Sequence, residues 1–181
     1  MRDDRWLRAV LRDSEQIPAF LSFITGRDLV IQAGGNIGVY PLALAKHFAR
    51  VLTFEPSKMN FDRLLEGVEG IANVEAVNSA LGDRTKRHGL ERQHPTNDGM
   101  LAITRGRGVR MTSLDELAIP SCDLIWLDVE GYETRVLRGA AKLIERCSPA
   151  IIVEGKGSMR WLREHGYNQV FHYRSDRLWL R

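Results

Sequence analysis

The chain has little cysteine: two in 181 residues, Cys122 and Cys147. Two thiols cannot make a disulfide framework or a zinc ribbon, and both sit beside apolar segments, where a free cysteine packs as a small hydrophobe. Long apolar runs are missing too. A bilayer span needs ~18 uninterrupted apolar residues, and every run here is broken by charge, so no membrane partner is expected. The opening MRDDRWLR is charged and lacks the apolar stretch of a secretory leader, which makes a cytoplasmic location the expectation. Neither charge sign dominates: 26 Lys and Arg face 23 Asp and Glu, for a net +3. With 44% hydrophobic residues, global disorder is excluded. Repeats, linkers and low-complexity tracts are absent. Residues 1–181 therefore read as one domain, long enough to bury its own core.

What is present is alternation. Residues 1–26 read as N-terminal helices, with Trp6, Leu7, Val10 and Leu11 at helical spacing and Pro18 opening a second piece that Gly26 ends. DLVIQA (28–33) has the continuous apolar character of a strand buried on both faces. A helix is expected over 39–49, a strand over 51–55, and a helix over 58–68 after Pro56-Ser57. VEAVNSAL reads as a third strand ending at Gly82. Residues 84–110 are too long and too aperiodic for an ordinary connection and read as a lid or substrate excursion with short strands. A short helix at 112–117, a strand at 123–131 with its exit loop, a helix over 133–146, a strand at 150–156 and a short helix at 159–164 follow. The chain closes on a hairpin whose turn is placed at Ser175-Asp176. Five strands alternating with helices, then a hairpin, make an α/β three-layer sandwich around a mostly parallel sheet.

Ligands of such sheets bind beyond the carboxyl ends of the strands. The first strand is followed there by Gly34-Gly35-Asn36-Ile37-Gly38, where glycines permit a tight turn and close approach of a ligand to the backbone. Neither frame of this loop gives G-x-G-x-x-G, and no G-K-[ST] exists, so both phosphate-cradling loops are excluded. Glu55 ends the second strand, 17 residues past Gly38, and a carboxylate there accepts hydrogen bonds from ribose hydroxyls. A glycine turn and a ribose acid without a pyrophosphate fingerprint point to a nucleoside ligand that carries no diphosphate, of which S-adenosyl-L-methionine is the common example.

GGNIG, TFEPS, SALGD, TSLDEL, DLIWLDVEGYETRVLRGA and IIVEGK together resemble the FkbM-type methyltransferases, class I enzymes dependent on S-adenosylmethionine. The resemblance runs from about Asp28 to Tyr167, and DVEGYE with VLRGA is its most specific part. It implies a seven-stranded Rossmann-like sheet with an antiparallel last strand, and methyl transfer to a hydroxyl of a sugar or related polar molecule. It also implies cofactor contacts from Gly34, Gly35, Asn36 and Gly38, from Glu55 with Pro56, and from Ala80, Leu81 and Asp83 beside the adenine. Asp128, Glu130, Gly131 and Glu133 match the stretch next to the reacting methyl. Three positions depart from the family pattern. Gln32 stands where an Asp is usual, Trp126 where a Lys is frequent, and Lys156 near a frequent His. The Gln32 amide still offers an acceptor to the cofactor.

A hydroxyl acceptor must lose a proton during methyl transfer. Asp128 is the first candidate for base, or else binds the cofactor's amino group. Glu130 is a second candidate, or else caps the next helix. Glu154 ends the fifth strand facing the cleft, and Lys156 would lower a hydroxyl's pKa if desolvated. Two acids, Asp128 and Glu154, do not establish a metal site, and none is assigned. The excursion carries seven basic residues (Arg84, Lys86, Arg87, Arg92, Arg105, Arg107, Arg110) against Glu91 and Asp98, which points to an anionic acceptor or to a solvated loop. His88 and His94 lie in the same segment, and Asn97-Asp98-Gly99 reads as a turn. The expected partner is a small-molecule or glycan acceptor. Nucleic acid is disfavoured: the loop motifs of base methylation are missing, and the excursion has no aromatics for stacking, although a ribose 2′-hydroxyl stays open. A module that binds cofactor or partner without turnover is the other alternative, favoured by Gln32 and Trp126.

Overall fold

The structure is a computed structural model describing residues 14–94 and 97–181, with side chains left out of account at 92–102, 105 and 107. The expected helix around Trp6 to Leu11 lies outside the described residues. Helix α1 (Ile17–Leu21) starts with Pro18 in its first turn, where the missing N–H costs nothing. Then come β1 (Leu29–Ala33), α2 (Val39–Leu44), β2 (Arg50–Phe54), α3 (Lys58–Gly67) and β3 (Val74–Val77). The Ser57 hydroxyl caps α3 by accepting the Asn60 N–H.

Seven strands form the main sheet. After β7 (Leu124–Leu127), α4 (Glu133–Arg138), α5 (Ala141–Cys147), β8 (Ala150–Glu154) and α6 (Met159–Glu164), the chain ends in β9 (Asn168–Tyr173) and β10 (Asp176–Leu180). The order is β3-β2-β1-β7-β8-β10-β9. β10 runs antiparallel to both neighbours and the first five strands are mutually parallel. Strand order reverses beside β1, so β1, β2 and β7 fan out around the glycine loop, the switch point where such sheets bind ligands. β1 and β7 are buried throughout, which is why they read as unbroken apolar runs. Alternate residues feed two cores. Ile31, Phe54, Ile125 and Val153 face α4 and α5, while Val30, Val51, Trp126 and Ile152 face α1 and α2.

Six local expectations change. VEAVNSAL breaks after Val77: Ala80–Leu81 form β4, which pairs with a second sheet. That sheet holds β5 (Lys86–His94) and β6 (Asn97–Thr112), long antiparallel strands where short ones were expected. Asn97–Gly99 begin β6 and pair toward His94 instead of forming a turn. The expected helix over 133–146 is two, because a Cβ on Gly139 would meet the Gly82 carbonyl at 1.9 Å and the chain bends to make that approach. The helix after the glycine loop stops at Leu44, and the final turn falls at Arg174-Ser175, so Asp176 belongs to β10.

Candidate active site

The glycine loop is fixed from three sides. Gly34 and Gly35 both donate to the Phe54 carbonyl at 3.0 Å, and the Asp128 N–H donates to the Ala33 carbonyl at 3.1 Å. Gly34 has φ +90°, and a Cβ there would lie 2.1 Å from the Asp128 carbonyl oxygen. That position needs glycine for conformation and for space alike. Asn36 and Glu130 also adopt left-handed backbone, with φ 48° and 49°. Non-glycine residues there are uncommon and gather at functional loops.

Two cavities open on this rim. One is walled by Ala33, Gly34, Phe54, Glu55, Pro56, Ser79, Ala80, Leu81, Ile103, Asp128, Val129, Glu130 and Tyr132. The other lies over Gly34, Gly35, Asn36, Ile37, Val39 and Tyr40. Asp128 and Gly34 border both. The first is an apolar slot with a few converging polar groups, the form expected of a nucleoside site.

Glu55 is 4% exposed. Its two oxygens accept the N–H groups of Asn36 and Ser57, each at 2.8 Å. Burial nevertheless outweighs these bonds and pushes its carboxyl up to about 7. Asp128 differs. It is exposed, standing at the rim where the two cavities meet. The protein crowded around it, then the neighbouring Glu154 carboxylate, then Asp176 and Glu130, raise its carboxyl above the usual range. Glu130 is also raised, by burial first and then by Glu154 and Glu133.

The other sequence candidates separate clearly. Gly34, Gly35, Asn36, Glu55, Pro56, Ala80, Leu81, Asp128 and Glu130 line the cavities, and Gly38 is the N-cap of α2 with φ 94°. Glu154 ends β8, next to the exit of β7 where Asp128 stands, and lines neither cavity. Gln32 is 1% exposed and turned inward: its amide donates to the Gly34 carbonyl at 2.9 Å and accepts from the Thr53 hydroxyl. It braces the loop from below. Asp83 faces away, with Lys86, Arg84 and Arg135 within 3.8 Å. Burial works to raise its carboxyl, but Lys86, Arg84 and Arg135 together hold it lowered. Lys156 is exposed in the loop after β8 and lines neither cavity. Glu130 does not cap α4: no side chain caps Tyr132, and Glu133 instead accepts the Gly131 N–H at 3.0 Å. Among the described residues, no group of three or more His, Cys, Asp or Glu is arranged to hold a metal ion.

In the excursion, His88 is half-buried with Nδ1 3.3 Å from the Thr104 carbonyl, while the side chains of His94, Arg92, Arg105 and Arg107 lie outside the described set. The arm gives Ile103 to the cavity wall, a contribution the sequence did not mark. Tyr40, Tyr132 and Ser79 were missed as lining residues as well; Tyr132 and Ser79 had a signal, lying inside DVEGYE and SALGD. Gln16 and Asp176 were also missed. The Gln16 amide donates to Asp176 at 2.8 Å and to the Tyr40 hydroxyl at 3.0 Å, which ties α1 to this rim.

The chain matches the family described as "Methyltransferase FkbM domain" over residues 32–169. It belongs to the FkbM methyltransferase family. Solved structures share its fold at low identity. The FkbM methyltransferase from Methylobacillus flagellatus aligns with TM-score 0.63 and 16% identity, over 86% of this chain and 44% of that one. This FkbM domain thus spans less than half the length of that relative. A precorrin 8W decarboxylase from Methanobacterium thermoautotrophicum gives TM-score 0.60 and 14% identity, over 94% and 89% of the two chains. Magnesium protoporphyrin IX methyltransferase from Synechocystis, solved with bound S-adenosylmethionine, gives 0.58 and 14%, over 97% and 81%. Among curated proteins none matches. The cofactor that goes with this family and fold is S-adenosylmethionine. No helix among the described residues is long and apolar enough to cross a membrane.

Proposed function

We propose that this FkbM domain transfers a methyl group from S-adenosylmethionine to a hydroxyl of a sugar or similarly polar small molecule. The observation that carries the reading is the pair of cavities meeting at Asp128, one with the buried carboxylate of Glu55 at its wall and the other over the glycine loop. The donor set fits the cofactor. Glu55, buried at the slot wall, has lone pairs left after its two backbone partners, and ribose hydroxyls would donate to them. Phe54, Pro56, Ala80, Leu81 and Val129 offer apolar walls to an adenine, and the loop from Gly34 to Asn36 with Tyr40 would hold the amino-acid end. When bound, the cofactor supplies an activated methyl on a sulfonium.

The residues of the chain then have three tasks. The loop and Glu55 orient the donor, since alignment alone supplies much of such a rate. Ile103 and Tyr132 narrow the mouth. Asp128 takes the acceptor's proton, and its raised carboxyl makes it a stronger base than an ordinary aspartate. Three acids line the cavities, while the described cations Arg84 and Lys86 turn to Asp83. This supports an uncharged acceptor over the anionic one suggested by the arm's composition. Calorimetric binding of S-adenosylhomocysteine tests the cofactor half: micromolar affinity in the wild type, lost in Glu55→Ala. Methyl transfer to a panel of neutral, anionic and cationic hydroxyl compounds tests the rest. Absence of binding by folded wild type would overturn the reading.

A further inference from the structure

Gln16 and Asp176 lie outside residues 32–169, the stretch that matches the family, and they meet beside the glycine loop from opposite ends of the chain. Gln16 stands at the start of α1, where its carbonyl accepts the N–H groups of Ala19 and Phe20 at 3.0 and 3.3 Å. Ile17, Phe20 and Leu21 of that helix are buried in the core on this face of the sheet, so the backbone at Gln16 is anchored. Gln16 itself is 7% exposed. A side-chain amide nitrogen carries two hydrogens, and Gln16 spends them on two different elements. One bond goes to the Tyr40 hydroxyl of α2 at 3.0 Å, the other to Asp176 Oδ2 of β10 at 2.8 Å. Asp176 is buried as well and fixed by its register against β8. The Tyr40 ring is restrained separately. It sits edge-on to Trp126 with centroids 5.5 Å apart, and Phe20 of α1 packs on the same indole at 5.4 Å. Tyr40 lines the cavity over the glycine loop. One restraint on the ring and one on the hydroxyl thus converge on a single side chain of the cavity wall. A buried amide and a buried carboxylate are costly unless paired, so Gln16 and Asp176 keep this arrangement as a unit.

We propose that Gln16 is a positioning residue for the amino-acid end of the methyl donor: its amide holds Tyr40 in place over the glycine loop, and Asp176 holds the amide. This deepens the function proposed above and rests on it for the identity of the donor. The clamp acts on one end of that ligand only. Glu55 and the apolar slot, where the nucleoside is placed, have no contact with Gln16 or Tyr40 among their walls. A wall fixed before the ligand arrives need not be ordered on binding, and that saving appears as affinity. Without the amide, Tyr40 keeps its edge contact with Trp126 but loses the restraint on its hydroxyl. The cost then falls on the part of the donor that touches the glycine-loop cavity.

Two ligands separate the ends of the donor. S-adenosylhomocysteine and 5′-methylthioadenosine share the nucleoside and the thioether sulfur, but only the first carries the amino-acid end. Calorimetry on the full chain should show wild type binding S-adenosylhomocysteine the more tightly. Gln16→Leu should weaken S-adenosylhomocysteine about five- to tenfold and leave 5′-methylthioadenosine within about twofold of wild type. Tyr40→Phe keeps the ring and removes only the hydroxyl. It should give the same selective loss, and it decides the matter alone if Gln16→Leu does not fold. The double variant should lose no more than either single one, because both break the same bond. Glu55→Ala, by contrast, should weaken both ligands alike. A role in packing alone would not distinguish the two ligands. Equal losses for both in Gln16→Leu and Tyr40→Phe, no loss in either variant, or losses that add in the double variant overturn the proposal. Wild type binding the two ligands equally also overturns it and leaves the nucleoside site standing. Wild type binding neither overturns the cofactor reading itself, and the clamp with it.

Discussion

Glu55 and Asp128 end the strands that flank β1, on the two sides of the glycine loop. Both are acids at carboxyl ends of parallel strands, and both carboxyls are raised, although Glu55 is buried and Asp128 is exposed at the rim. Their neighbours are opposite in kind. Glu55 meets two backbone N–H groups, which favour its charged form. Asp128 meets Glu154, Asp176 and Glu130, which disfavour it. The first environment suits a group that accepts hydrogen bonds from a bound diol. The second suits a group whose job is to hold and exchange a proton. One residue class, at equivalent places in the topology, is given two roles by what surrounds it.

The comparison is broken most completely at Gly34, which separates the two acids. Gly34→Ala places a methyl 2.1 Å from the Asp128 carbonyl at φ +90°. We expect a loss of about 3 kcal/mol or more, read as a fall in thermal midpoint with cofactor binding abolished. Glu55→Ala comes next: two charge-assisted hydrogen bonds to a ribose are worth roughly 3–4 kcal/mol, so affinity for S-adenosylhomocysteine should fall about 100-fold or more by calorimetry.

The Glu55 side of the comparison also carries a pH signature. The folded state keeps the Glu55 proton up to about 7, whereas the unfolded chain releases it near the ordinary 4.5. Wild-type stability is therefore lost through this group as pH rises from 4.5 to about 7. The full loss is about 3 kcal/mol. Glu55→Gln should remove that slope, so its thermal midpoint relative to wild type rises between pH 5 and pH 8. Asp128→Asn should behave likewise, its advantage over wild type growing toward alkaline pH, because the Asp128 carboxyl is also raised in the fold.

Gln32→Asp is a smaller change with a counter-intuitive sign. Restoring the family's usual acid removes the donor to the Gly34 carbonyl and puts a carboxylate into a fully buried position. A cost of about 1–3 kcal/mol in urea unfolding, with no gain in cofactor affinity, is the expected outcome. The smallest effect belongs to Arg84→Ala. Its 3.5 Å ion pair with Asp83 is exposed on the arginine side, so stability should change by no more than about 0.5 kcal/mol.

Much of this was legible along the chain. DLVIQA, DLIWL and AIIVE are apolar without alternation because β1, β7 and β8 are covered on both faces, and local composition records that directly. The glycine loop and Glu55 were legible because tight turns and strand-end acids use few residue types. The bracing of the loop by Gln32 was not legible from its position, since only the fold shows its amide bonded to Thr53 and Gly34. The break of VEAVNSAL had no local signal either. Ala80 and Leu81 leave the main sheet because β6, thirty residues on, offers them a partner.

By itself, then, the sequence determined the alternation of elements, the cavity's glycine loop and the strand-end acid Glu55, and the family motif at the exit of β7. Each depends on residues close together in the chain, where conformational preference and burial leave a readable pattern. The strand register that brings Asp128, Glu154 and Asp176 to adjacent strand ends, the Gln16 amide on Asp176, and the Ile103 wall were decided by tertiary structure alone. Their effects come from charge and hydrogen bonding between residues up to 160 positions apart, which no local window contains.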